Sequence, residues 1–150
     1  MFSNDFIQAL KIVYEKLENT GIDWVLEGSA RLVLSGMDFD PQDLDIALEF
    51  KNLKKAKEIF KEYYISGITE LKPLGGKRAW EVILDIEGVQ VQLFAEKPED
   101  SFWISRMLSG KTTEIDLDGY KIPCLTLKAE AECYEGIGRK EKAEKIISYI

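Results

Sequence analysis

Residues 24–34 are WVLEGSARLVL, and residues 43–49 are DLDIALE, with a polar loop of eight residues between them. The apolar residues Trp24 to Leu26 predict a short buried strand, which Gly28-Ser29 interrupts, and the run that follows to Leu34 predicts a helix. Residues 43–49 alternate polar and apolar side chains, which is typical of a strand with one buried face. The two stretches therefore predict a strand, a helix, a loop and a second strand.

The junction at Gly28-Ser29 is a candidate phosphate site. A strand that ends there and opens a helix directs free backbone N–H groups and the positive helix end at one spot. Gly28 allows a close approach of the backbone, and Ser29 adds a hydroxyl donor or caps the helix. Arg31 is the nearest cation for phosphate, although a solvated helix position explains it equally well.

Asp43 and Asp45 form a candidate metal pair. Two residues apart on a strand, they project from the same face, and their carboxylates repel each other unless a cation lies between them. The chain has no histidine, so any metal must be held by oxygen atoms, which favours Mg²⁺ or Mn²⁺. Phosphate donors beside paired acids predict metal-assisted phosphoryl or nucleotidyl transfer, whereas either half alone would favour an ordinary turn and a solvated strand face.

The remaining patterns predict an α+β fold in one domain, residues 1–150. An amphipathic helix is expected near the N-terminus, a second over about residues 52–64 and another opening at Pro98. Hairpins are expected to turn at Glu87-Gly88 and at Asp118-Gly119, and two short helices should flank Gly138. We expect a mixed sheet flanked by helices, with a short helical C-terminal segment.

Composition narrows the functional classes. The net charge is −7, so no general affinity for nucleic acid is expected. No apolar run approaches the roughly 18 residues of a membrane span, and the N-terminus lacks a signal-peptide pattern. We therefore expect a cytoplasmic protein without membrane contact. Cys124 and Cys133 are best interpreted as reduced, partly buried thiols.

The motif Gly28-Ser29, followed after thirteen residues by Asp43-Leu44-Asp45-Ile46, resembles the signature of the DNA polymerase β-type nucleotidyltransferase superfamily. The chain is most similar to small stand-alone prokaryotic nucleotidyltransferases. The similarity extends over most of the chain, through the N-terminal helix and the following segments: residues 21–25, Ile122-Pro123, the stretch from Leu125 to Tyr134, Gly138-Arg139 and Lys142-Ala143.

This resemblance implies a palm-like sheet and a definite chemistry. Gly28 and Ser29 would contact the triphosphate, and the catalytic residues Asp43 and Asp45 would bind the divalent ions, Mg²⁺ or Mn²⁺. The reaction would transfer a nucleotidyl group from a nucleoside triphosphate such as ATP to an acceptor hydroxyl. The acidic balance favours a small-molecule or protein acceptor over a nucleic acid.

The chain departs from the family pattern at two positions. The family has a third carboxylate on a later strand, where this sequence has Gln92, and an apolar residue where it has Glu27. Glutamine offers a neutral oxygen but cannot act as a general base. If Glu87-Gly88 is a two-residue turn, Glu81 and Asp85 lie diagonal to Gln92, about 7–8 Å away. We expect Asp85 to supply part of the missing charge, the alternative being an exposed acid beside a turn.

Two further cations and two other functions stay open. Arg139 and Lys142 belong to a segment that packs beside the site in the resembling proteins, where they would meet phosphate or acceptor, although terminal-helix lysines are usually solvated. Gln92 favours a second function: a catalytically degenerate member that binds nucleotide and acts with a protein partner, as in toxin–antitoxin modules. The other function is a plain scaffold without a ligand. A protein partner or a homodimer is the expected assembly.

Overall fold

A computed structural model describes residues 2–63 and 66–150 of the chain. The helices are α1 (Asn4–Leu17), α2 (Gly28–Leu34), α3 (Leu53–Ile59), α4 (Trp103–Leu108), α5 (Leu127–Gly136) and α6 (Lys140–Tyr149). The strands are β1 (Trp24–Glu27), β2 (Leu44–Glu49), β3 (Thr69–Glu70), β4 (Trp80–Ile86), β5 (Val89–Glu96), β6 (Thr112–Leu117) and β7 (Tyr120–Leu125).

All seven strands join one mixed sheet in the order β3-β4-β5-β2-β1-β7-β6. The pairs β2–β5 and β1–β7 are parallel, and the other four pairs are antiparallel. This arrangement confirms the predicted α+β fold with a mixed sheet. It also places β1, which the Gly-Ser motif follows, beside β2, which begins within the Asp-x-Asp motif, at the centre of the sheet.

Local signals explain most element boundaries. The Ser3 side chain accepts a hydrogen bond from the Phe6 N–H at 3.2 Å and so caps α1. Both predicted hairpins are confirmed, with β4–β5 turning at Glu87-Gly88 and β6–β7 at Asp118-Gly119. The two residues of each turn have φ values of 52° and 89°, which is the backbone that two-residue type I′ hairpins require. The short helices on either side of Gly138 are also present.

Two helices begin or end elsewhere than predicted. The helix expected over residues 52–64 follows a 3-10 turn and ends at Ile59, while position 64 lies outside the described residues. The helix expected from Pro98 starts at Trp103. The reason for the second shift is the buried Glu96 carboxylate, which accepts hydrogen bonds from the N–H groups of residues 102, 103 and 104 at 3.0, 3.0 and 3.2 Å.

The sheet has an apolar core on one face and a partly covered second face. Helices α1 and α3 pack on the first face against Ile46 and Leu93. Helices α4 and α5 pack on the second face, over Val25, Ala47 and Phe94. The β4–β5 edge of the second face has exposed and half-exposed side chains, so it forms an open floor beside the centre of the sheet.

A third cluster joins α2 to α5 and α6 through Leu32, Tyr134 and Ile146. Cys124 and Cys133 are free thiols, as predicted, and both are fully buried rather than partly buried. Among residues 2–63 and 66–150, no helix has the length and apolar character needed to cross a membrane.

Candidate functional site

The register of three strands brings the motif residues into one row on the second face. Asp45 of β2 lies opposite Glu27 of β1 and beside Gln92 of β5. Lateral neighbours in a sheet point to the same side. Asp43 directly precedes β2, and its Oδ2 accepts a hydrogen bond from Gln90 Nε2 at 3.4 Å. The structure therefore brings Asp43, Asp45 and Gln92 together at the centre of the sheet.

Gly28 lies in direct contact with this row. Its φ of +79° belongs to the left-handed region, and a Cβ added there would lie 2.6 Å from Asp45 Oδ2. The Gly28 N–H donates to both carboxylate oxygens of Glu130, at 3.1 and 3.2 Å. This corrects the sequence expectation in one respect: the Gly28 N–H is held by Glu130 and is not free for phosphate.

Ser29 is joined to the last helix of the chain. Lys142 Nζ donates to Ser29 Oγ at 2.7 Å. The ammonium group lies 4.4 Å from the ring centroid of Tyr134 and 5.0 Å from that of Phe39. Burial and then the charge of Arg139 lower the pKa of Lys142. A serine hydroxyl and a partly buried cation thus form one polar centre between α2 and α6.

A cavity of about 570 Å³ opens beside that centre. Its size falls within the range of small-molecule sites. Four of its lining residues are cationic. The lining consists of Ser29, Phe39, Asp40, Gly138, Arg139, Lys140, Glu141, Lys142 and Lys145. The cavity is therefore a basic recess that begins at the Gly-Ser motif and continues along α6.

Arg31, a predicted phosphate contact, lies elsewhere. Its side chain is 3% exposed, its Nε donates to the Leu125 carbonyl at 2.7 Å, and its guanidinium also donates to Ser35 Oγ. Arg31 does not line the basic cavity. Its contacts instead tie α2 to the end of β7, so the structure does not bring it to the cavity beside Ser29.

Three carboxyl groups, those of Glu27, Asp45 and Glu130, lie close to one another beside Gly28. Burial, followed by repulsion from Asp45 and Glu130, raises the pKa of Glu27 well above its usual range. Burial and then Asp43, through its charge and a hydrogen bond, raise the pKa of Asp45 likewise. Burial raises the pKa of Glu130 to about 7, while Gly28 and Arg31 oppose that shift. The site therefore carries an excess of negative charge, which a bound cation would relieve.

The donor set suits Mg²⁺ bound together with a phosphate ligand. In the described part of the chain, no group of three or more histidine, cysteine, aspartate or glutamate side chains is arranged to hold a metal ion. Asp43 and Asp45 are nevertheless adjacent carboxylates with hard oxygen donors. Magnesium commonly takes one or two protein carboxylates and completes its shell with water and substrate phosphates. The pair therefore fits an ion whose remaining ligands come from water and a phosphate group.

Stability should fall as pH rises through this cluster's titration range. The folded-state pKa of Glu130 lies above its ordinary value of 4.5, at about 7. Between these values the unfolded carboxyl loses its proton while the folded one keeps it, so rising pH favours unfolding. Urea unfolding at pH 5 and pH 8 should give the larger free energy at pH 5, and Glu130→Gln should reduce the difference. Equal or greater stability of the wild type at pH 8 would contradict this expectation.

The remaining predicted site residues are Asp85, Gln92 and Arg139, and they lie in different places. Asp85 is exposed, and its Oδ1 accepts a hydrogen bond from the Gly88 N–H at 2.8 Å, which stabilises the hairpin turn. Gln92 Nε2 donates to Glu81 Oε2 at 2.5 Å. The Arg139 guanidinium lies 5.5 Å from the Tyr134 ring centroid, at the edge of the basic cavity.

Sequence reasoning missed Glu130, which is fully buried. The available signal was its position three and four residues before Cys133 and Tyr134, on a face of α5 that is otherwise apolar. A charged residue in such a place usually has a specific partner. The partner itself, the Gly28 N–H, lies 102 residues earlier and could not be identified from that pattern.

Comparison with protein families gives one match over nearly the whole chain. A family model described as aminoglycoside-2''-adenylyltransferase matches residues 9–147. Among curated proteins, none matches the chain significantly.

Solved structures share the fold. A "putative nucleotidyltransferase" from Thermotoga maritima has 25% sequence identity and a TM-score of 0.78, and the alignment covers 99% of this chain and 94% of that one. The lincomycin-bound lincosamide antibiotic adenylyltransferase LnuA has 14% identity and a TM-score of 0.57, with 93% and 96% covered. The antibiotic-resistance factor ANT(2'')-Ia has 11% identity and a TM-score of 0.54, with 95% and 89% covered. The architecture is therefore that of nucleotidyltransferases.

Proposed function

The chain belongs to the aminoglycoside-2''-adenylyltransferase family, and from that premise we propose that it transfers an adenylyl group from ATP to a hydroxyl group of an amine-bearing small molecule. The proposal refines nucleotidyl transfer from a nucleoside triphosphate to an unknown hydroxyl acceptor. Adenylate is the transferred group in this family's activity, and the negative charges of Glu81 and Asp85 on the open floor favour an acceptor that bears amines.

One observation carries the proposal: an acidic pair and a basic cavity meet at Gly28-Ser29. Asp45 Oδ2 lies 2.6 Å from the position that a Cβ of Gly28 would take, and the next residue, Ser29, accepts a hydrogen bond from Lys142 on the lining of the basic cavity. Nucleotidyl transfer needs this adjacency, because carboxylates must face the metal-bound side of a triphosphate while cations neutralise its tail.

Asp43 and Asp45 would hold Mg²⁺ or Mn²⁺, which when bound neutralises charge on the triphosphate and aligns its α-phosphorus for attack. Their geometry depends on Gly28, whose missing Cβ leaves space for Asp45 Oδ2. Glu130 holds the Gly28 N–H and thereby fixes the turn that presents Ser29. The buried groups of this chain thus set the positions of the groups that face the nucleotide.

The phosphate tail would lie on the cationic side of the motif. Lys142 is placed to exchange its Ser29 partner for a phosphate oxygen, or to bind it together with Ser29. Arg139 and Lys145 extend the positive lining along α6. Charge-assisted hydrogen bonds to phosphate are about twice as strong as neutral ones, so these side chains supply the attraction that the acidic chain as a whole lacks.

The acceptor would lie on the open floor formed by the β4–β5 edge of the second face. The floor contains Glu81, Asp85, Gln90 and Gln92, and it adjoins Asp43. Its formal charges are negative, so it complements an acceptor that carries ammonium groups beside its hydroxyls. This is the chemistry of the aminoglycosides that the family description names.

The direct test has two stages. Calorimetric titration of Mg²⁺–ATP and Mg²⁺–GTP into the wild type should show metal-dependent binding, stronger for ATP. Pyrophosphate release is then measured with a panel of aminoglycosides, with lincomycin, and with an unrelated protein as acceptor. Release with an aminoglycoside, and an adenylylated product detected by mass spectrometry, would support the proposal. Binding of neither nucleotide would refute it.

Gln92 supports a second candidate function. Because an amide cannot accept the acceptor's proton, a degenerate member would bind nucleotide and regulate or pair with a protein. This function predicts metal–nucleotide binding without pyrophosphate release for any acceptor in the panel, together with a defined complex with a second protein. The two functions therefore differ in turnover, whereas both require the nucleotide site.

Replacing Lys142 by methionine should weaken Mg²⁺–ATP binding by about 10-fold to 100-fold. Hydrogen bonds that involve a charged group contribute about 1.5–3 kcal/mol, and methionine keeps the apolar contact with Tyr134 and Phe39. Calorimetry measures the change. The control is Lys54→Met on α3, an exposed lysine on the other face of the sheet, which should bind ATP like the wild type. Equal affinity of the Lys142 variant would show that the cavity is not the phosphate site.

A further inference from the structure

A hydrogen bond joins the Gln92 amide to the Glu81 carboxylate on the second face of the sheet. Gln92 Nε2 donates to Glu81 Oε2 at 2.5 Å. Gln92 stands beside Asp45 in the parallel β2–β5 register, and its neutral amide cannot accept a proton. Because the amide nitrogen donates to the neighbouring carboxylate, the negative charge of Glu81 lies directly beside Gln92.

The strand register explains how Glu81 reaches this position. Ile83 of β4 is the direct partner of Gln92, while Glu81 is the partner of Phe94. Glu81 is therefore diagonal to Gln92 on the same face. Diagonal neighbours lie within reach of long side chains. Both residues are half-exposed, so the pair faces the open floor and not the core.

Asp85, the other acid diagonal to Gln92, is differently engaged. Its carboxylate accepts a hydrogen bond from the Gly88 N–H in the exposed hairpin turn, and no hydrogen bond joins it to Gln92, whose amide nitrogen donates to Glu81. Of the two acids on this part of β4, Glu81 is the one in contact with the residue that stands beside Asp45. The geometry therefore distinguishes two side chains that the sequence pattern treats alike.

We propose that Glu81 is the general base of the reaction and that Gln92 positions it. The acceptor hydroxyl transfers its proton to the Glu81 carboxylate as its oxygen bonds to the α-phosphorus, and the bond between that phosphorus and the bridging oxygen breaks to release pyrophosphate. Glu81 is partly exposed, so it returns the proton to solvent. The Gln92 amide N–H holds the Glu81 carboxylate in place.

This inference rests on the proposed adenylyl transfer, and its test separates the two. Glu81→Gln should leave the Kd for Mg²⁺–ATP unchanged within about twofold. With the aminoglycoside that gives the fastest pyrophosphate release, it should lower kcat by about 10²-fold or more, the usual contribution of a general base. The matched control is Glu114→Gln on β6, an exposed strand glutamate distant from the floor, which should keep wild-type kcat.

A charge swap across the pair gives a second readout. In Glu81→Gln/Gln92→Glu one carboxylate and one amide remain, but the charge moves to β5. We expect this double variant to recover at least tenfold of the kcat lost in Glu81→Gln, and its pH–rate profile should again show an acidic limb. A merely structural role for Glu81 predicts no such recovery.

The outcomes are distinct. Unchanged ATP binding, a large fall in kcat and recovery in the swap would support Glu81 as the base. Wild-type kcat in Glu81→Gln, or a folded swap variant no more active than the single one, would overturn this inference and leave adenylyl transfer standing. ATP binding without any turnover in the wild type would overturn the transferase proposal and this inference with it.

Discussion

Asp45→Asn is expected to lower pyrophosphate release by about 10³-fold and, at the same time, to stabilise the protein in the absence of metal and nucleotide. The loss of activity follows from the proposed role of Asp45 as a metal ligand, because a bound metal supplies several kcal/mol of charge stabilisation, and each 1.36 kcal/mol is a factor of ten in rate. The gain in stability follows because burial and the neighbouring Asp43 raise the pKa of Asp45, so its charge is unfavourable in the folded state. Activity assays and urea unfolding at pH 8 measure the two effects.

The control for this variant is Asp23→Asn. Asp23 is exposed and directly precedes β1, so its substitution removes the same charge near the same strand without touching the row of acids. Its rate of pyrophosphate release should equal that of the wild type. Its free energy of unfolding should change by no more than about 0.5 kcal/mol. An Asp45→Asn variant that is inactive but also less stable than the wild type would show that the carboxylate has a structural role. A fully active variant would exclude it as a metal ligand.

Most of the fold was predictable because its signals are local. The alternation in residues 43–49 and the turns at Glu87-Gly88 and Asp118-Gly119 each depend on a few adjacent residues. The structure confirms the strand and both hairpins. It also confirms the pairing of Ile83 with Gln92 that a two-residue turn implies. Helix α4 was misplaced because the group that fixes its start, the Glu96 carboxylate, lies on the preceding strand.

The site was predictable only in part, because several of its contacts join distant residues. Gly28, Ser29, Asp43 and Asp45 lie within one supersecondary unit, and the structure brings them together. Lys142 reaches Ser29 across 113 residues, and Glu130 reaches Gly28 across 102. Spacing within the sequence carries no information about such pairs. For the same reason Arg31 looked like a phosphate ligand, since its real partner, the Leu125 carbonyl, lies 94 residues away.

The Glu81–Gln92 pair shows a further limit of sequence reasoning. The register places both Glu81 and Asp85 diagonal to Gln92, and nothing in the residue types distinguishes them. The structure distinguishes them because the Asp85 carboxylate already accepts a hydrogen bond from the Gly88 N–H, whereas the Glu81 carboxylate accepts one from Gln92. A carboxylate that could act beside Gln92 is therefore best sought among the side chains that hydrogen-bond to Gln92, and not among all those that share its face.

Gly28→Ala should destabilise the protein by about 2–5 kcal/mol and reduce pyrophosphate release by about 10²-fold. The left-handed backbone, with φ of +79°, costs an L-residue roughly 1–2 kcal/mol. The added methyl would also lie 2.6 Å from Asp45 Oδ2, and overpacking of this kind typically costs about 1–3 kcal/mol more. Asp45 must move to avoid it, and misplacement of a catalytic group by about 1 Å can cost 10²-fold in rate.

Gly21→Ala separates backbone strain from contact with the site. Gly21 has the same φ of +79°, but a Cβ there meets nothing within 4 Å. It should therefore show only the strain, about 1–2 kcal/mol, with wild-type pyrophosphate release and wild-type Mg²⁺–ATP affinity. If the two alanine variants lose equal stability and Gly28→Ala stays active, then Asp45 can shift without consequence. In that case the close approach of Gly28 to the acidic pair would not be what positions the metal-binding carboxylate.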